Sequence, residues 1–264
     1  MTERATPIYD ALRAALRADE PVALVTVVAG PAVGAKLLVR PDAAPLGTLG
    51  DADLDRVVAR DALGELDAGI TSARHYGAHG EAREHEVSVF IESFAPPPRM
   101  IIFGAVDFTA ALARLAKLLG YHVTVCDARA VFATTARFPM ADEVVNDWPD
   151  RYLAKVGDRL GPRDAVCVLT HDHKFDVPAI AAAVATDVGY VGAMGSRRTH
   201  EQRVERLRDA GLTDAQLDRV MSPIGLDLGG RTPEETAVSI GAEIIARRTG
   251  HRPAPLRDGT GAIH

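Results

Sequence analysis

The 264-residue sequence has only two cysteines, no excess of positive charge and no long apolar run. Both cysteines, Cys126 and Cys167, lie in apolar strand-like stretches, which favours buried, reduced thiols and a cytoplasmic protein. The net charge of −6 provides no basic surface for nucleic acid or anionic lipid. No apolar run approaches the roughly 18 residues of a membrane helix, and we expect no signal peptide in MTERATPIYD. A G-x-S-x-G motif is also missing, which removes one class of nucleophilic enzyme.

Three consecutive prolines divide the sequence. The stretch 96–99 (PPPR) cannot lie inside a helix or a central strand, so it is predicted to be a short, stiff linker. It separates an N-terminal domain, 1–95, from a C-terminal domain, 100–250. The remaining stretch, 251–264, is rich in proline and glycine and is predicted to be a flexible tail.

The N-terminal domain mixes helical and strand-like patterns. Apolar residues at helical spacing predict two helices, and alternating residues such as Val87, Val89 and Ile91 predict strands. The helices are expected at 7–18 and 51–67, and the strands at 21–30, 35–40, 70–77 and 84–94. This pattern indicates a small α+β domain.

After the linker, strands and helices alternate. The strand candidates lack polar alternation, as parallel strands buried on both faces do. The strands are predicted at 100–104, 122–127, 143–146, 165–170 and 188–194, and the helices at 109–119, 177–185, 198–210 and 233–248. The alternation predicts an α/β fold with a Rossmann-like doubly wound parallel sheet.

The first strand–helix turn of this sheet, MIIFGAVDF, departs from the G-x-G-x-x-G of dinucleotide-binding proteins. Gly104 and Ala105 are followed by Val106, whose side chain would crowd a pyrophosphate. The negative charge of Asp107 would interact favourably with the dipole at the helix N-terminus but would repel a phosphate. Two interpretations stay open: a cofactor site with altered chemistry that includes Gly104, Ala105 and Asp107, or a structural turn capped by Asp107.

The second strand ends in VCDAR. Asp127 lies 23 residues after Gly104, close to the spacing at which an acidic residue binds a ribose diol. An aspartate that caps a strand end is equally compatible with the spacing. Arg129 is predicted either to contact a phosphate or to pair with Asp127.

The stretch THDHKFD follows the fourth strand, so it lies at the carboxyl edge of the sheet, where such folds bind ligands. His171 and His173 resemble half of a metal site, but no further ligands of matching spacing are present, so we predict no metal. His171 and Asp172 are instead candidates for positioning a ligand, with a hydrogen-bonded turn as the alternative.

The stretch VGAMGSRR is the strongest anion-binding candidate. Gly195 provides a flexible turn, Ser196 can cap a helix, and Arg197 and Arg198 begin that helix. Backbone N–H groups, a hydroxyl and two guanidinium groups at a helix N-terminus suit an anion. A solvated arginine face is the alternative.

The later glycine-rich stretch 222–236 is either a crossover loop or a ligand lid.

The sequence resembles the XdhC/CoxI family of xanthine dehydrogenase accessory proteins. The resemblance covers roughly residues 88–248 and is carried by a series of long motifs: PPPRMIIFGA, VTVCDAR, FATTARFPMADEVV, VLTHDHKFD, YVGAMGSRRTH, RLRDAGL and SPIGLDLGGRTPEETAVSIGAEIIARR. It implies a maturation factor that binds molybdenum cofactor, a pterin dithiolene with a phosphate or nucleotide tail, and delivers it to a molybdenum hydroxylase apoenzyme of the xanthine or carbon monoxide dehydrogenase type. Such a protein is closer to a chaperone than to a turnover enzyme.

This sequence departs from the family pattern in two places. Many members carry a cysteine in a glycine-rich N-terminal segment, whereas here no cysteine occurs between Met1 and Val125. The usual turn close to G-A-G-H is here Gly104-Ala105-Val106-Asp107. The missing cysteine argues against a cysteine-mediated role for this protein, and the changed turn argues against an ordinary nucleotide site.

Our hypothesis places the anionic tail of the cofactor at 195–198, with Asp127 and Arg129 as neighbours. The alternatives are an NAD(P)-dependent oxidoreductase, which Val106 and Asp107 count against, and a scaffold for assembly that binds no small ligand. A cofactor sulfurase is a second partner to consider. The sequence leaves open the choice between monomer and homodimer, the client enzyme and the form of the cofactor.

Overall fold

The computed structural model of the protein describes residues 7–82, 84–170 and 172–258. These residues form two compact units that divide between Pro96 and Pro97. No helix described in either unit has both the length and the apolar character needed to traverse a lipid bilayer. Of the predicted tail, 251–258 includes a short 3-10 helix, Leu256–Asp258, whereas 259–264 lies outside the described residues.

The N-terminal unit is an antiparallel sheet with a helix on each face. The five strands have the order β3-β2-β1-β5-β4. Their bounds are β1 Val22–Ala29, β2 Lys36–Arg40, β3 Ala43–Thr48, β4 Ser72–Tyr76 and β5 Val87–Phe94, and the helices are α1 Pro7–Arg17 and α2 Ala52–Ala68. The side chains of β1 alternate between two cores: Val25 packs with Leu54 of α2, and Val22 packs with Ala15 of α1. The first half of β1, VALV, is apolar and buried because both of its faces are covered.

The C-terminal unit is built on a six-stranded sheet in which every described pairing is parallel. Its order is β11-β10-β9-β6-β7-β8. The strands are β6 Arg99–Phe103, β7 His122–Cys126, β8 Glu143–Val145, β9 Ala165–Val168, β10 Tyr190–Ala193 and β11 Val220–Met221. The chain runs outward from β6 to β8, then returns to β9 on the other side of β6. The winding direction therefore reverses between β6 and β9, which is where such sheets form their ligand crevice.

Helices cover both faces of this sheet. They are α3 Asp107–Leu118, α4 Pro149–Val156, α5 His173–Val184, α6 Arg197–Asp209, α7 Asp214–Leu217 and α8 Pro233–Thr249. On one face Leu112 of α3 and Ile240 of α8 pack in a common core, and on the other Leu153 of α4 packs with Ile180 of α5. The predicted fold class, a Rossmann-like α/β sheet preceded by a smaller α+β unit, is confirmed.

Two local predictions at the start of helices need correction. The helix predicted at 177–185 begins earlier, because α5 starts at His173 and Asp172 is its N-cap, accepting the Lys174 N–H at 3.0 Å. Asp107 does not cap α3: the N-cap is Val106, which makes no capping hydrogen bond, and Asp107 is the first helical residue. Its carboxylate therefore lies in the first turn, where it still suits the helix dipole.

Candidate functional site

Gly104 lies at the point where the winding of the parallel sheet reverses. Its φ of +107° is one that glycine adopts without steric cost. A Cβ on Gly104 would lie 2.7 Å from Cγ2 and 3.0 Å from the backbone nitrogen of Thr170, at the end of the neighbouring strand β9. The glycine is thus required by the fold itself, independently of any ligand.

Asp127, at the end of β7, is buried with 4% of its surface exposed. Its Oδ2 accepts the main-chain N–H of Ala105 at 2.8 Å, and its Oδ1 accepts the N–H of Arg129 at 2.9 Å. The Arg129 guanidinium donates to both oxygens, at 2.9 Å from Nε and 2.8 Å from the terminal nitrogen. Of the two interpretations of Arg129, the structure shows the ion pair. The Asp127 carboxylate is occupied by protein donors where a ribose-binding acid would face its ligand.

Electrostatics link the ends of β7 and β9. Burial works to raise the pKa of Asp127, but the Arg129 side chain and the N–H groups of Ala105 and Arg129 outweigh it, so the pKa lies below its ordinary value. The pKa of Arg129 is raised, mainly by its hydrogen bond to Asp127 and to a smaller extent by the charge of Asp172. Five predicted site residues, Gly104, Ala105, Asp127, Arg129 and Asp172, therefore lie in one neighbourhood. His171 lies outside the described residues.

The start of α6 forms a second cluster, 195–198, at the end of β10. Ser196 is the N-cap, and its Oγ accepts the N–H of Thr199 at 3.1 Å, as its position predicts. Arg197 and Arg198 occupy the first turn and are exposed. Among the eight α-helices that the structure describes, only α6 has no acidic residue in its first turn. Two arginines at the positive end of a helix dipole make this surface locally cationic.

A buried ion pair behind this cluster was not predicted from the sequence. One guanidinium nitrogen of Arg203 donates to Oδ2 of Asp176 at 2.9 Å and to the carbonyl of Met194 at 2.7 Å. Another donates to Oγ of Ser222 at 3.0 Å. Arg203 and Asp176 are each 3% exposed. The network therefore ties α5 and α6 to the segments that follow β10 and β11. One signal was available: Arg203 lies four residues before the buried Leu207, so it shares the inward face of α6.

The two clusters lie apart along the edge of the sheet. Three strand spacings of about 4.8 Å separate β7 from β10, because β6 and β9 lie between them, so the distance is about 14 Å. An elongated ligand can span both clusters. Within 7–82, 84–170 and 172–258, no three His, Cys, Asp or Glu side chains are grouped to hold a metal ion.

The loop that precedes α8 is anchored to the body of the unit. Oε2 of Glu243 accepts the N–H of Gly225 at 2.9 Å and the hydroxyl of Tyr190 at 2.5 Å. At the end of the loop, Thr232 and Glu235 form the expected capping box. These bonds fix both ends of the segment, and its role as a crossover or a lid stays a prediction.

These features define a class: a Rossmann-type α/β unit with a cationic helix start at the carboxyl edge of its sheet, preceded by an α+β unit. Comparison with known families gives a more specific assignment. The family model described as the XdhC Rossmann domain matches residues 100–244, and the model described as the XdhC and CoxI family matches residues 15–77. The chain belongs to the XdhC and CoxI family.

Several curated proteins are similar to this chain. One from Bacillus subtilis (strain 168), named as a probable xanthine dehydrogenase subunit, is 34% identical over 165 residues, covering 62% of this chain and 47% of that protein. The molybdenum cofactor insertion chaperone PaoD of Escherichia coli (strain K12) is 27% identical over 159 residues, or 60% and 43% of the two chains. The uncharacterized E. coli protein YqeB is 28% identical over 222 residues, or 81% and 40%. The chain spans less than half the length of each of these relatives.

A solved structure shares the fold. A crystal structure of a xanthine dehydrogenase from Bacillus halodurans aligns with a TM-score of 0.56 and 20% identity, covering 94% of this chain and 97% of that one. At this identity the likeness concerns the fold alone.

Proposed function

We propose that the protein is a maturation factor for a molybdenum hydroxylase of the xanthine or carbon monoxide dehydrogenase type. In this role it binds molybdenum cofactor, holds it at the carboxyl edge of the parallel sheet and delivers it to the apoenzyme. Membership of the XdhC and CoxI family supports the proposal, as do relatives named as an insertion chaperone and as part of a xanthine dehydrogenase. The protein acts in the cytoplasm, with the hydroxylase as its main partner and a cofactor sulfurase as a further one.

The observation that carries the cofactor-binding part is the start of α6. Arg197 and Arg198 are exposed in a first turn that has no acidic residue, so they add to the helix dipole instead of neutralising it. Guanidinium groups bind phosphate through paired, charge-assisted hydrogen bonds, and the backbone N–H groups of a first turn point in the same direction. This donor set fits the phosphate of the pterin.

The remaining residues orient the ligand. Arg203 fixes the carbonyl of Met194 and so holds the chain that leads into Gly195. At about 14 Å along the edge, Arg129 and Asp172 contact the other end of an elongated cofactor, and Asp127 holds the Arg129 guanidinium in place. When bound, the cofactor supplies the molybdenum chemistry of the client enzyme. The chain's own groups bind and position it.

The structure gives reasons to rank the NAD(P)-dependent oxidoreductase lower. A dinucleotide would need the N–H groups of the first turn and the carboxylate at the end of β7, but Ala105 and Asp127 are bonded to each other. Val106 and Asp107 replace residues that would admit a pyrophosphate. Calorimetric titration with NADH is expected to show no binding, and saturable binding would favour the oxidoreductase.

The decisive experiment compares two double variants of the same helix. Arg197→Ala/Arg198→Ala removes the cationic first turn, whereas Arg206→Ala/Arg208→Ala removes two arginines from the last turn. Each protein is purified anaerobically, and bound pterin is released, oxidised and quantified by fluorescence and mass. We expect the first variant to bind purified pterin cofactor at least tenfold more weakly, because each lost charged hydrogen bond is worth about 1.5–3 kcal/mol. The control variant should bind like the parent.

Other outcomes identify the competing functions. Unchanged binding in Arg197→Ala/Arg198→Ala would show that the cofactor does not lie at the start of α6. A parent protein that co-purifies with a hydroxylase but contains no pterin would favour the scaffold that binds no small ligand.

A further inference from the structure

The segment that follows β7, residues 128–141, presents an aromatic ring at the carboxyl edge of the parallel sheet. Phe132 is 39% exposed there, whereas Phe138 is buried in the core and anchors the segment. The segment turns back at once, because the N–H groups of Phe132 and Ala133 both donate to the carbonyl of Arg129, at 2.9 and 3.2 Å. The main chain therefore holds Phe132 beside Arg129.

The guanidinium of Arg129 is fixed on two sides. Its carbon lies over the Phe132 ring, 4.6 Å from the ring centroid, and its edge donates two hydrogen bonds to Asp127. Even so, 45% of the Arg129 side chain is exposed. Because the edge and one face are covered, the exposed part includes the face turned away from Phe132. Guanidinium planes stack on planar heterocycles, and this one is held in place before any ligand binds.

A carboxylate lies near this stack. Asp172 follows β9 and caps α5, and only β6 separates β9 from β7, so the two strand ends are about 10 Å apart. The charge of Asp172 contributes to the raised pKa of Arg129. The Asp172 side chain is 54% exposed, and the cap uses one hydrogen bond to its Oδ1. A carboxylate accepts about four hydrogen bonds in all, so both oxygens of Asp172 can still accept from a ligand.

A flat ring that meets both a guanidinium face and a carboxylate needs N–H donors on its edge. An aminopyrimidinone ring has them, because a ring N–H lies next to an amino group and the two match the two oxygens of a carboxylate. We propose that Arg129, Phe132 and Asp172 form a subsite for an aminopyrimidinone, which stacks on the outer face of Arg129 and donates to Asp172. This ring subsite rests on the proposed function, in which the phosphate lies at the start of α6, about 14 Å away.

Two parts of a molybdenum cofactor can supply this ring. One is the pterin itself, and the other is guanine, where the tail is a guanine nucleotide. Both carry the ring N–H beside the amino group. Cytosine has an amino group but lacks that ring N–H, so it cannot make the paired contact with Asp172.

The ring subsite is tested on the full chain with ligands that carry no phosphate, so that the start of α6 does not contribute. The probes are hydroxymethylpterin, followed by its fluorescence, and guanosine and cytidine as competitors. We expect the parent to bind hydroxymethylpterin or guanosine with a dissociation constant below about 1 mM, and cytidine about tenfold more weakly or worse. The tighter of the two ligands identifies the ring, pterin or guanine. If neither saturates below about 1 mM, the ring subsite is wrong, even where the intact cofactor still binds through Arg197 and Arg198.

Substitution of Phe132 tests the stack. Phe132→Leu keeps an apolar side chain but removes the ring, so the affinity for the bound probe should fall about tenfold or more. Phe132→Tyr restores a ring and should recover the affinity. Phe90→Leu is the matched control, because Phe90 is 36% exposed but lies on β5 of the N-terminal unit. Equal affinity in Phe132→Leu and Phe90→Leu would show that the ligand does not lie on this stack.

Substitution of Asp172 tests the edge contact. Asparagine also caps helices, so Asp172→Asn preserves the start of α5, but its amide places a donor where the carboxylate accepts. The affinity for hydroxymethylpterin should fall about tenfold or more, and that for hydroxymethyllumazine, in which an oxygen replaces the amino group, should rise. A purely structural effect would weaken both ligands alike. An equal loss for the two ligands, or no change in either, therefore contradicts direct contact with Asp172.

Discussion

The main-chain N–H of Ala105 donates a hydrogen bond to Oδ2 of Asp127 at 2.8 Å, joining the first strand–helix turn of the parallel sheet to the end of the second strand. In a dinucleotide-binding protein these two groups face the ligand: the turn meets the pyrophosphate and the acid meets the ribose. Here they satisfy each other. The fold is that of a nucleotide-binding sheet, but its usual contacts serve to hold two loops together.

Replacing Asp127 should therefore destabilise the protein. Asp127→Asn keeps the shape of the side chain but removes the negative charge. The carboxylate accepts two hydrogen bonds from the Arg129 guanidinium and two from backbone N–H groups. Because these bonds are weakened, we expect the free energy of unfolding to fall by about 2–3 kcal/mol at pH 7. Urea denaturation measures the change. Asp187→Asn, at an exposed position, is the control and should unfold like the parent.

The same pair predicts a pH dependence. The pKa of Asp127 is lowered in the folded state, so its stabilisation is fully present above the unfolded pKa of about 3.9 and is lost as the pH falls through the lower folded value. The stability difference between parent and Asp127→Asn should therefore be constant near neutral pH and shrink below about pH 4. If the stability difference between the two proteins stays constant down to about pH 2.5, well below the unfolded pKa of about 3.9, the lowered pKa of Asp127 is contradicted.

The fold was predictable because each element carries its own local pattern. The apolar strands of the sheet, the Ser196 cap and the Thr232–Glu235 capping box are all encoded within a few neighbouring residues. Four helices and strands of the described residues were not predicted, and all are short or atypical: β3 contains Pro45, and α4, α7 and β11 have eight, four and two residues. Such segments form because neighbouring strands are already in place, and local pattern does not reveal that.

The candidate site was predictable only in part. The sequence places 195–198 and Asp127 at strand ends, but it does not tell whether Arg129 pairs with Asp127 or points to a ligand. The Asp176–Arg203 pair joins residues 27 positions apart on different helices. Its partners become apparent only when α5 and α6 pack side by side. Binding roles of individual residues stay predictions until a ligand is tested.

Breaking the Asp176–Arg203 pair should have a large effect. Arg203→Met leaves the buried carboxylate of Asp176 without its guanidinium, so we expect a loss of about 3–5 kcal/mol in the free energy of unfolding. The double variant Asp176→Leu/Arg203→Met removes both charges and should recover part of the loss. Urea unfolding curves of the three proteins provide the comparison. If the free energy of unfolding of Arg203→Met lies within about 1 kcal/mol of that of the parent, the ion pair contributes little to stability.

Gly104→Ala should destabilise the protein more than Gly120→Ala. Both glycines have positive φ, +107° and +82°, so each substitution carries a backbone cost of about 1–2 kcal/mol. Only at position 104 does the new methyl group meet other atoms within 4 Å, in Leu169 and Thr170, with the shortest approaches to Thr170. This contact should add about 1–3 kcal/mol of overpacking. Thermal or urea unfolding of the two variants separates these contributions, and equal losses would show that the Thr170 contact relaxes freely.

The two cysteines should be inert in the folded protein. Cys126 and Cys167 are fully buried, and burial raises the pKa of both thiols, that of Cys126 to about 12. Because the thiolate is the reactive form, labelling with Ellman's reagent at pH 8 should be negligible in native protein and complete at both positions after unfolding in guanidinium chloride. Asp127→Asn should accelerate labelling of Cys126 more than of Cys167, since it loosens the turn beside Cys126. Rapid stoichiometric labelling of the native parent would show that one of these thiols is accessible and would reopen a role for it in sulfur chemistry.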